Sequence, residues 1–294
     1  MSIISYDLIN NKKINKFKKA HEKYISNFRH YFDEINKRDL ILSISCENNN
    51  IKLWNIYNFE CLLNLENIYS KPSSLNSACF LNDDNQDYIL TTNCNWGIIM
   101  SESIKIFDFN GKAINEIKNS NDRTLFIDTY YDSKSSKIYI LTANNNNVKS
   151  YDYKKNAIYH KYEDINNDKC HRSIIIYEND KLTNLVESSM DGNIRIWDFH
   201  SGILLKKIYV NNNDLIGIYL YNSKYLFVGC EEGNMKLIEL NEGKIIKNFE
   251  DNVRLGYVIC IKKINHPAYG ECLITQNINN GKIRLWIIKN ILFN

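Results

Sequence analysis

A short tetrapeptide recurs six times along the chain and restricts the possible folds more than any other feature of the sequence. Each copy begins with an apolar residue, has Lys or Arg in second place and, in five of the six copies, carries an aromatic residue in fourth place. The copies begin at residues 51, 104, 148, 194, 235 and 283, so that successive copies start 41–53 residues apart. A repeat of this period indicates a row of similar structural units.

Alternation within the tetrapeptide predicts a β-strand, because apolar and basic residues that alternate with a period of two lie on opposite faces of an extended chain. We expect the basic residue of each copy to lie at the solvent. These residues are Lys52, Lys105, Lys149, Arg195, Lys236 and Arg284.

The residues around each tetrapeptide predict three further strands. An apolar run such as Ile138–Leu141 comes before the tetrapeptide, and a turn such as Asp191-Gly192-Asn193 joins two strands, since Gly and Asn accept positive φ at low cost. A second turn, Ser201-Gly202, leads into the apolar run that begins at Ile203. Each unit is therefore predicted to be a meander of four antiparallel strands, and the chain to be all-β.

The most regular unit, Leu185–Asp198, reads LVESSMDGNIRIWD and resembles the repeat of WD-repeat β-propellers of the G-protein-β type. The resemblance extends over essentially the whole chain and implies one propeller domain, residues 1–294. It also implies a buried hydrogen-bond network in this unit, formed by His171, Ser189, Asp191 and Trp197. Other units depart from the pattern, since Cys46 and Cys230 stand where the network has its Ser. The aromatic residues expected in the cores of other blades are Trp54, Phe107, Tyr151 and Trp286.

The number of blades stays open at this point. Residues 22–294 contain six units, and residues 1–21 add two strands, of which Ile3–Asp7 resembles Val148–Asp152. A seven-bladed ring with one incomplete blade and a six-bladed ring with a long clasp both fit. A truncated start or a strand donated by a partner would also fit the seven-bladed ring. The ordinary blade length favours seven blades. We expect residues 1–21 to close the ring on the last unit, because unjoined blades would expose sheet edges.

Sequence patterns typical of enzymes and metal sites are missing. The histidines and eight cysteines have no zinc-ligand spacing, and neither a nucleophile elbow nor a phosphate-binding loop occurs. We expect a protein that is not an enzyme and has no metal, no cofactor and no small-molecule substrate. The net charge of +3 argues against a nucleic-acid partner, and the lack of a long apolar run argues against membrane insertion. The expected location is the cytoplasm or the nucleus.

These features predict a non-enzymatic scaffold that binds one or more proteins as a subunit of a eukaryotic multiprotein complex. The alternative is a reader that captures a peptide or a modified side chain at the mouth of the propeller channel. A long insertion in the second unit holds an apolar cluster, which is the candidate partner-binding site because Trp is enriched in such sites. The cluster consists of Trp96, Ile98, Ile99 and Met100.

Overall fold

A computed structural model describes most of the chain, and all of the elements that it describes are β-strands. The described residues are 2–10, 12–17, 19–69, 74–83, 86–94, 102–119, 123–164, 170–178, 182–249, 258–277 and 283–288. They form 25 strands in seven sheets, of which five have four strands, one has three and one has two. Neighbouring strands run antiparallel wherever their register is defined. The all-β prediction is confirmed, and the seven sheets decide in favour of seven blades.

The chain forms two compact units, and the first comprises Met1–Asp7, Lys13–Asn145 and Lys149–Tyr159. It begins with a two-stranded sheet, here called the N-terminal hairpin, of β1 (Ile3–Asp7) and β2 (Lys12–Phe17). Sheet 1 contains β3 (Asn27–Asp33), β4 (Arg38–Ser45), β5 (Asn50–Asn55) and β6 (Cys61–Leu65). Sheet 2 contains β7 (Ser74–Asp83), β8 (Gln86–Cys94), β9 (Glu102–Asp108) and β10 (Ala113–Asn119). Sheet 3 contains β11 (Thr124–Asp132), β12 (Lys137–Asn144), β13 (Val148–Asp152) and β14 (Ala157–Tyr162).

The second unit comprises Leu8–Lys12, Asn146–Val148 and His160–Asn294. Sheet 4 contains β15 (His171–Glu178), β16 (Thr183–Ser189), β17 (Asn193–Asp198) and β18 (Leu204–Tyr209). Sheet 5 contains β19 (Leu215–Tyr221), β20 (Tyr225–Cys230), β21 (Met235–Glu239) and β22 (Lys244–Phe249). Sheet 6 contains β23 (Val258–His266), β24 (Gly270–Asn277) and β25 (Ile283–Ile287). All six tetrapeptides lie on the third strands of sheets 1–6, as the alternation predicts.

Acidic side chains close the turn between the third and fourth strands in several sheets. Asp108 accepts a hydrogen bond from the backbone N–H of Lys112 at 2.8 Å, and Asp198 accepts one from Ser201 at 2.6 Å. A carboxylate that bonds the backbone a few residues further on holds the chain in a tight turn. In sheet 4 the preceding turn requires Gly192, whose φ is +76° and whose missing Cβ would lie 1.7 Å from the carbonyl oxygen of Asn211.

The core of each unit lies between neighbouring sheets. Leu40, Leu42 and Ile44 on β4 pack against Ala78 and Ile89 of sheet 2, and all five are inaccessible to solvent. The third strands β13 and β17 are buried along almost their whole length, so that they have protein on both faces. Burial of apolar surface on this scale is the main favourable contribution to folding.

The prediction that the tetrapeptide bases lie at the solvent is wrong for Arg195, which is fully buried, and for Lys149, which is 4% exposed. The alternation predicts one buried and one solvent-exposed face for each third strand, whereas neighbouring sheets cover both faces. Two of the remaining bases, Lys105 and Lys236, are half-buried and donate to backbone carbonyls. Lys105 Nζ donates to the carbonyl of Ile68 at 2.9 Å, and Lys236 Nζ to that of Val210 at 2.7 Å.

Candidate interaction surface

Sheet 4 holds the four residues that the resemblance places in a hydrogen-bond network, but their side chains point to different partners. His171 Nδ1 lies 2.6 Å from a carboxylate oxygen of Glu187, and Ser189 Oγ donates to the carbonyl of Cys170 at 3.2 Å. Asp191 pairs with Arg195. Trp197 is buried, and within the described part of the chain its indole N–H has no hydrogen-bond partner. The expectation that Trp197 joins this network is therefore wrong.

Strand register explains this difference. Trp197 lies opposite Leu185 on β16, and the residue opposite the tetrapeptide base Arg195 is Glu187. In sheet 1 the residue opposite the base Lys52 is Ser43. The carboxylate of Glu187 thus occupies in sheet 4 the position that the Ser43 hydroxyl occupies in sheet 1. It accepts a hydrogen bond from Arg195 and contacts His171.

Arg195 is the centre of a buried ionic cluster in sheet 4. Its Nε donates to Asp164 at 2.9 Å, and its two Nη atoms donate to Asp191 and, at 3.5 Å, to Glu187. Lys207 Nζ also donates to Asp164, at 2.7 Å. Burial disfavours the ionised form of Asp191, but the hydrogen bond and the charge of Arg195 outweigh this effect and lower its pKa. This cluster compensates the buried guanidinium and fixes the third strand within the sheet.

A histidine–serine–tryptophan hydrogen-bond network of the kind that the resemblance implies is found in sheet 1. The sequence pattern predicts it in sheet 4 instead. His21 Nε2 lies 2.7 Å from Ser43 Oγ, and Trp54 Nε1 donates to the same Oγ at 2.8 Å. Sheet 6 repeats half of it, since Trp286 Nε1 donates to Thr275 Oγ1 at 2.9 Å. In both sheets the hydroxyl residue comes eleven positions before the tryptophan. That spacing was the signal in the sequence.

Burial and a neighbouring charge set the protonation state of His21. Its side chain is only 3% exposed, and Lys52 lies close enough to disfavour a second positive charge. Burial, followed by the charge of Lys52, lowers the pKa of His21 to about 4. The imidazole is therefore neutral at physiological pH.

The aromatic residues that the tetrapeptide places in blade cores are inside the sheets. Trp54, Phe107 and Tyr151 are buried, and Trp286 is partly buried against Phe249 and its neighbours. The candidate partner-binding residues Trp96, Ile98, Ile99 and Met100 lie outside the described residues. Their role stays a prediction.

The outer strand of sheet 4 and the residue before it expose more apolar surface than the other described fourth strands. Ile203 is 61% exposed, and Leu204, Leu205 and Tyr209 are also exposed. The corresponding strands of sheets 2, 3 and 5 each expose one isoleucine, at Ile114, Ile158 and Ile246. We name residues 203–205 and Tyr209 the β18 edge. Adjacent exposed apolar side chains on a rim are a feature of protein-binding surfaces.

No group of three or more His, Cys, Asp or Glu side chains in the described part of the chain is placed to hold a metal ion. Among the same residues, no helix is long and apolar enough to cross a membrane.

Comparison with solved structures decides the fold. The structure is similar to the crystal structure of the computationally designed Ika8 protein, with a TM-score of 0.65 over 97% of this chain and 90% of the other, at 11% sequence identity. The chain is a seven-bladed β-propeller. The N-terminal hairpin and sheets 1–6 are the seven sheets of this propeller. The favoured number of seven blades is confirmed, and closure of the ring by residues 1–21 stays a prediction.

Sequence comparison adds one partial similarity to this propeller. It is 26% identical over 102 residues to the U3 small nucleolar RNA-associated protein 21 homolog of Schizosaccharomyces pombe. The match covers 35% of this chain and only 11% of the yeast protein. No protein-family model matches the chain.

Proposed function

We propose that this propeller is a non-enzymatic scaffold that binds other proteins as a subunit of a multiprotein complex. The observation that carries the proposal is the β18 edge, where Leu204, Leu205 and Tyr209 on the outermost strand of a blade, and Ile203 just before it, are exposed. An outer strand also presents one row of backbone groups that its own sheet does not use. Apolar side chains beside such a row suit the binding of a polypeptide.

The similarity to the yeast protein bears on where such a scaffold would act. That protein is named for an association with a small nucleolar RNA, and a nucleolar protein acts in the nucleus. We therefore propose that the scaffold belongs to a nuclear complex and that its direct partners are proteins. The alternative, a reader of a peptide or modified side chain, stays a prediction.

Affinity purification followed by quantitative mass spectrometry tests the scaffold proposal. The tagged wild-type chain should co-purify with at least one protein in stoichiometric amount. Replacement of Leu204 and Leu205 together with Ser should remove that partner, because the β18 edge loses its apolar contact area. The thermal melt should change little, since both side chains already face the solvent.

Ile246→Ser is the matched control, because Ile246 is an exposed apolar residue on the fourth strand of the next sheet. This variant should keep the partner. A wild-type chain that purifies alone under gentle conditions contradicts the scaffold proposal. Loss of the partner in both variants would contradict the assignment of the β18 edge.

A further inference from the structure

An open cleft of about 530 Å³ lies where the chain passes from sheet 1 to sheet 2, and it is here called the sheet 2 cleft. One wall consists of residues 65–68, the end of β6 and the segment after it, and the other consists of β9, β10 and the turn between them. Gly111 packs this turn closely on the first wall, because its missing Cβ would lie 2.8 Å from a methyl group of Leu65. The volume is within the range of ligand-binding sites, roughly 300–1,000 Å³.

Side chains of two kinds line the sheet 2 cleft. Leu65, Phe107 and Ile114 supply apolar surface, and Ile114 is 46% exposed. Glu66 and Glu116 are exposed and supply two carboxylates, one from each wall. A ligand that matches this lining has an apolar part and a cationic part.

Neither carboxylate forms an ion pair within the described part of the chain. Glu66 accepts one hydrogen bond, at 2.8 Å, from the side-chain amide of Asn64. Glu116 lies opposite Lys105 on the neighbouring strand, but the ammonium of Lys105 donates to a backbone carbonyl and lies 4.7 Å from the centre of the Tyr69 ring. The single cation that lines the cleft is therefore already bound elsewhere, and both carboxylates are available to a ligand.

A second cleft, of about 430 Å³, lies at the entry to sheet 5 and differs in its chemistry. Lys236 again donates to a carbonyl of the incoming segment, that of Val210. Five asparagines line this cleft in place of the apolar residues, and its one carboxylate, Glu232, accepts a hydrogen bond from Asn213 at 2.6 Å. Because one ammonium balances one carboxylate, this cleft has no excess of negative charge and serves as the matched comparison.

We infer that the sheet 2 cleft binds an arginine side chain of a partner polypeptide. This inference rests on the proposed function as a protein-binding scaffold and names what a second surface recognises. The carboxylates of Glu66 and Glu116 would accept hydrogen bonds from the guanidinium, which offers five N–H groups, and the aliphatic part of the side chain would pack on Leu65 and Ile114. Lysine offers only one compact, strongly hydrated ammonium, and a hydrated metal ion has no apolar part, so that both match the lining less well.

Titration of the full chain with a short arginine peptide tests this inference. The probe is the tripeptide Ala-Arg-Ala, acetylated at its N-terminus and amidated at its C-terminus, and NMR chemical shifts measure its binding. Amide signals of β9 and β10 should shift in a saturable manner. The same peptide with citrulline in place of arginine is the control, because an uncharged urea group then replaces the guanidinium, and it should bind at least tenfold more weakly.

Three variants separate recognition in the cleft from general attraction between opposite charges. Replacement of Glu66 and Glu116 together with Gln should weaken binding at least tenfold. Replacement of Glu232 and Glu242 with Gln removes the same charge from two exposed turns of sheet 5 and should leave the affinity unchanged. Ala113→Trp fills the cleft without a change of charge and should also weaken binding at least tenfold, while the thermal melt stays unchanged because Ala113 is exposed.

Three results would overturn the inference. One is the absence of saturable binding of the arginine peptide, and another is equal affinity for the citrulline peptide. The last is full binding by Ala113→Trp, which would show attraction to an acidic surface and no occupation of the cleft.

The scaffold proposal and this inference fail in distinguishable ways. Replacement of Leu204 and Leu205 with Ser should leave the affinity for the arginine peptide unchanged, since neither residue lines the sheet 2 cleft. A chain that co-purifies with a protein but does not bind the peptide contradicts this inference alone. A chain that binds the peptide but purifies alone contradicts the scaffold proposal.

Discussion

Trp54 Nε1 and Ser43 Oγ lie 2.8 Å apart in the core of sheet 1, and the same hydroxyl is 2.7 Å from His21. One serine thus connects the third strand to the segment that follows the N-terminal hairpin. A buried hydroxyl with two partners is costly to remove, because both partners are left without their hydrogen bond.

Replacement of Ser43 with Ala should lower the free energy of unfolding by about 1–3 kcal/mol, the cost of buried polar groups that lose their partner. Chemical denaturation measures this change. Ser45→Ala is the matched control, because Ser45 is buried on the same strand and its hydroxyl has no hydrogen-bond partner in the described part of the chain. Equal losses in the two variants would contradict the network.

Truncation of Trp197 to Ala should destabilise the protein by about 3–5 kcal/mol, as expected for a large buried aromatic residue, with Trp54→Ala and Trp286→Ala next in order. Replacement with Phe should distinguish Trp197 from Trp54 by the loss of stability that each variant shows. Trp197→Phe loses no hydrogen bond made in the described structure, whereas Trp54→Phe loses the bond to Ser43 and should cost about 0.5–1.5 kcal/mol more. Thermal melts that are unchanged in all three Ala variants would refute the blade register.

Stability should fall as the pH drops from about 6.5 to about 4, because the unfolded chain protonates His21 in this range and the folded chain does not. A pKa lowered to about 4 in the folded state corresponds to a loss of about 3 kcal/mol across this window. The loss should end below pH 4, where both states bind the proton. The His21→Gln variant should not show this loss of stability between pH 6.5 and 4. Identical pH profiles of stability for the wild type and this variant would contradict the lowered pKa of His21.

Deletion of residues 1–21 should lower the melting temperature and promote aggregation. The deletion removes the buried residues Ile3, Phe17, Ala20 and His21 and uncovers Trp54. A chain that begins at Ile3 is the control and should behave as the full chain does. If the deleted protein stays monomeric with an unchanged melt in light scattering and calorimetry, residues 1–21 do not close the propeller.

Replacement of Trp96 and Met100 together with Ser should leave the melt nearly unchanged and abolish co-purification of at least one partner. The reason is the sequence alone, which places an apolar cluster in a loop of unusual length. Co-purification and a thermal melt of the double variant are the measurements. An unfolded variant would show instead that these two residues belong to the core.

Fold class was predictable from this sequence because the alternation of the tetrapeptide survives in all six units. Hydrogen bonding inside the blades was only partly predictable, since it depends on which residue of the second strand lies opposite each base. Ser189 has the expected residue type but lies two positions beyond Glu187, which faces Arg195. Pairing of β16 with β17 is regular, so the turn between these two strands decides which residues lie opposite each other, and no local pattern in the sequence signals it.

The contact of Lys105 with the carbonyl of Ile68, and that of Lys236 with the carbonyl of Val210, join a third strand to the segment that leads into its own blade. Stability in an array of repeats is approximately a sum of unit and nearest-neighbour contributions. A lysine–carbonyl hydrogen bond of this kind adds to the nearest-neighbour contribution to the free energy of unfolding. Unfolding of one blade therefore also weakens its connection to the blade before it. Substitutions at these two lysines should therefore reduce the cooperativity of unfolding as well as its midpoint.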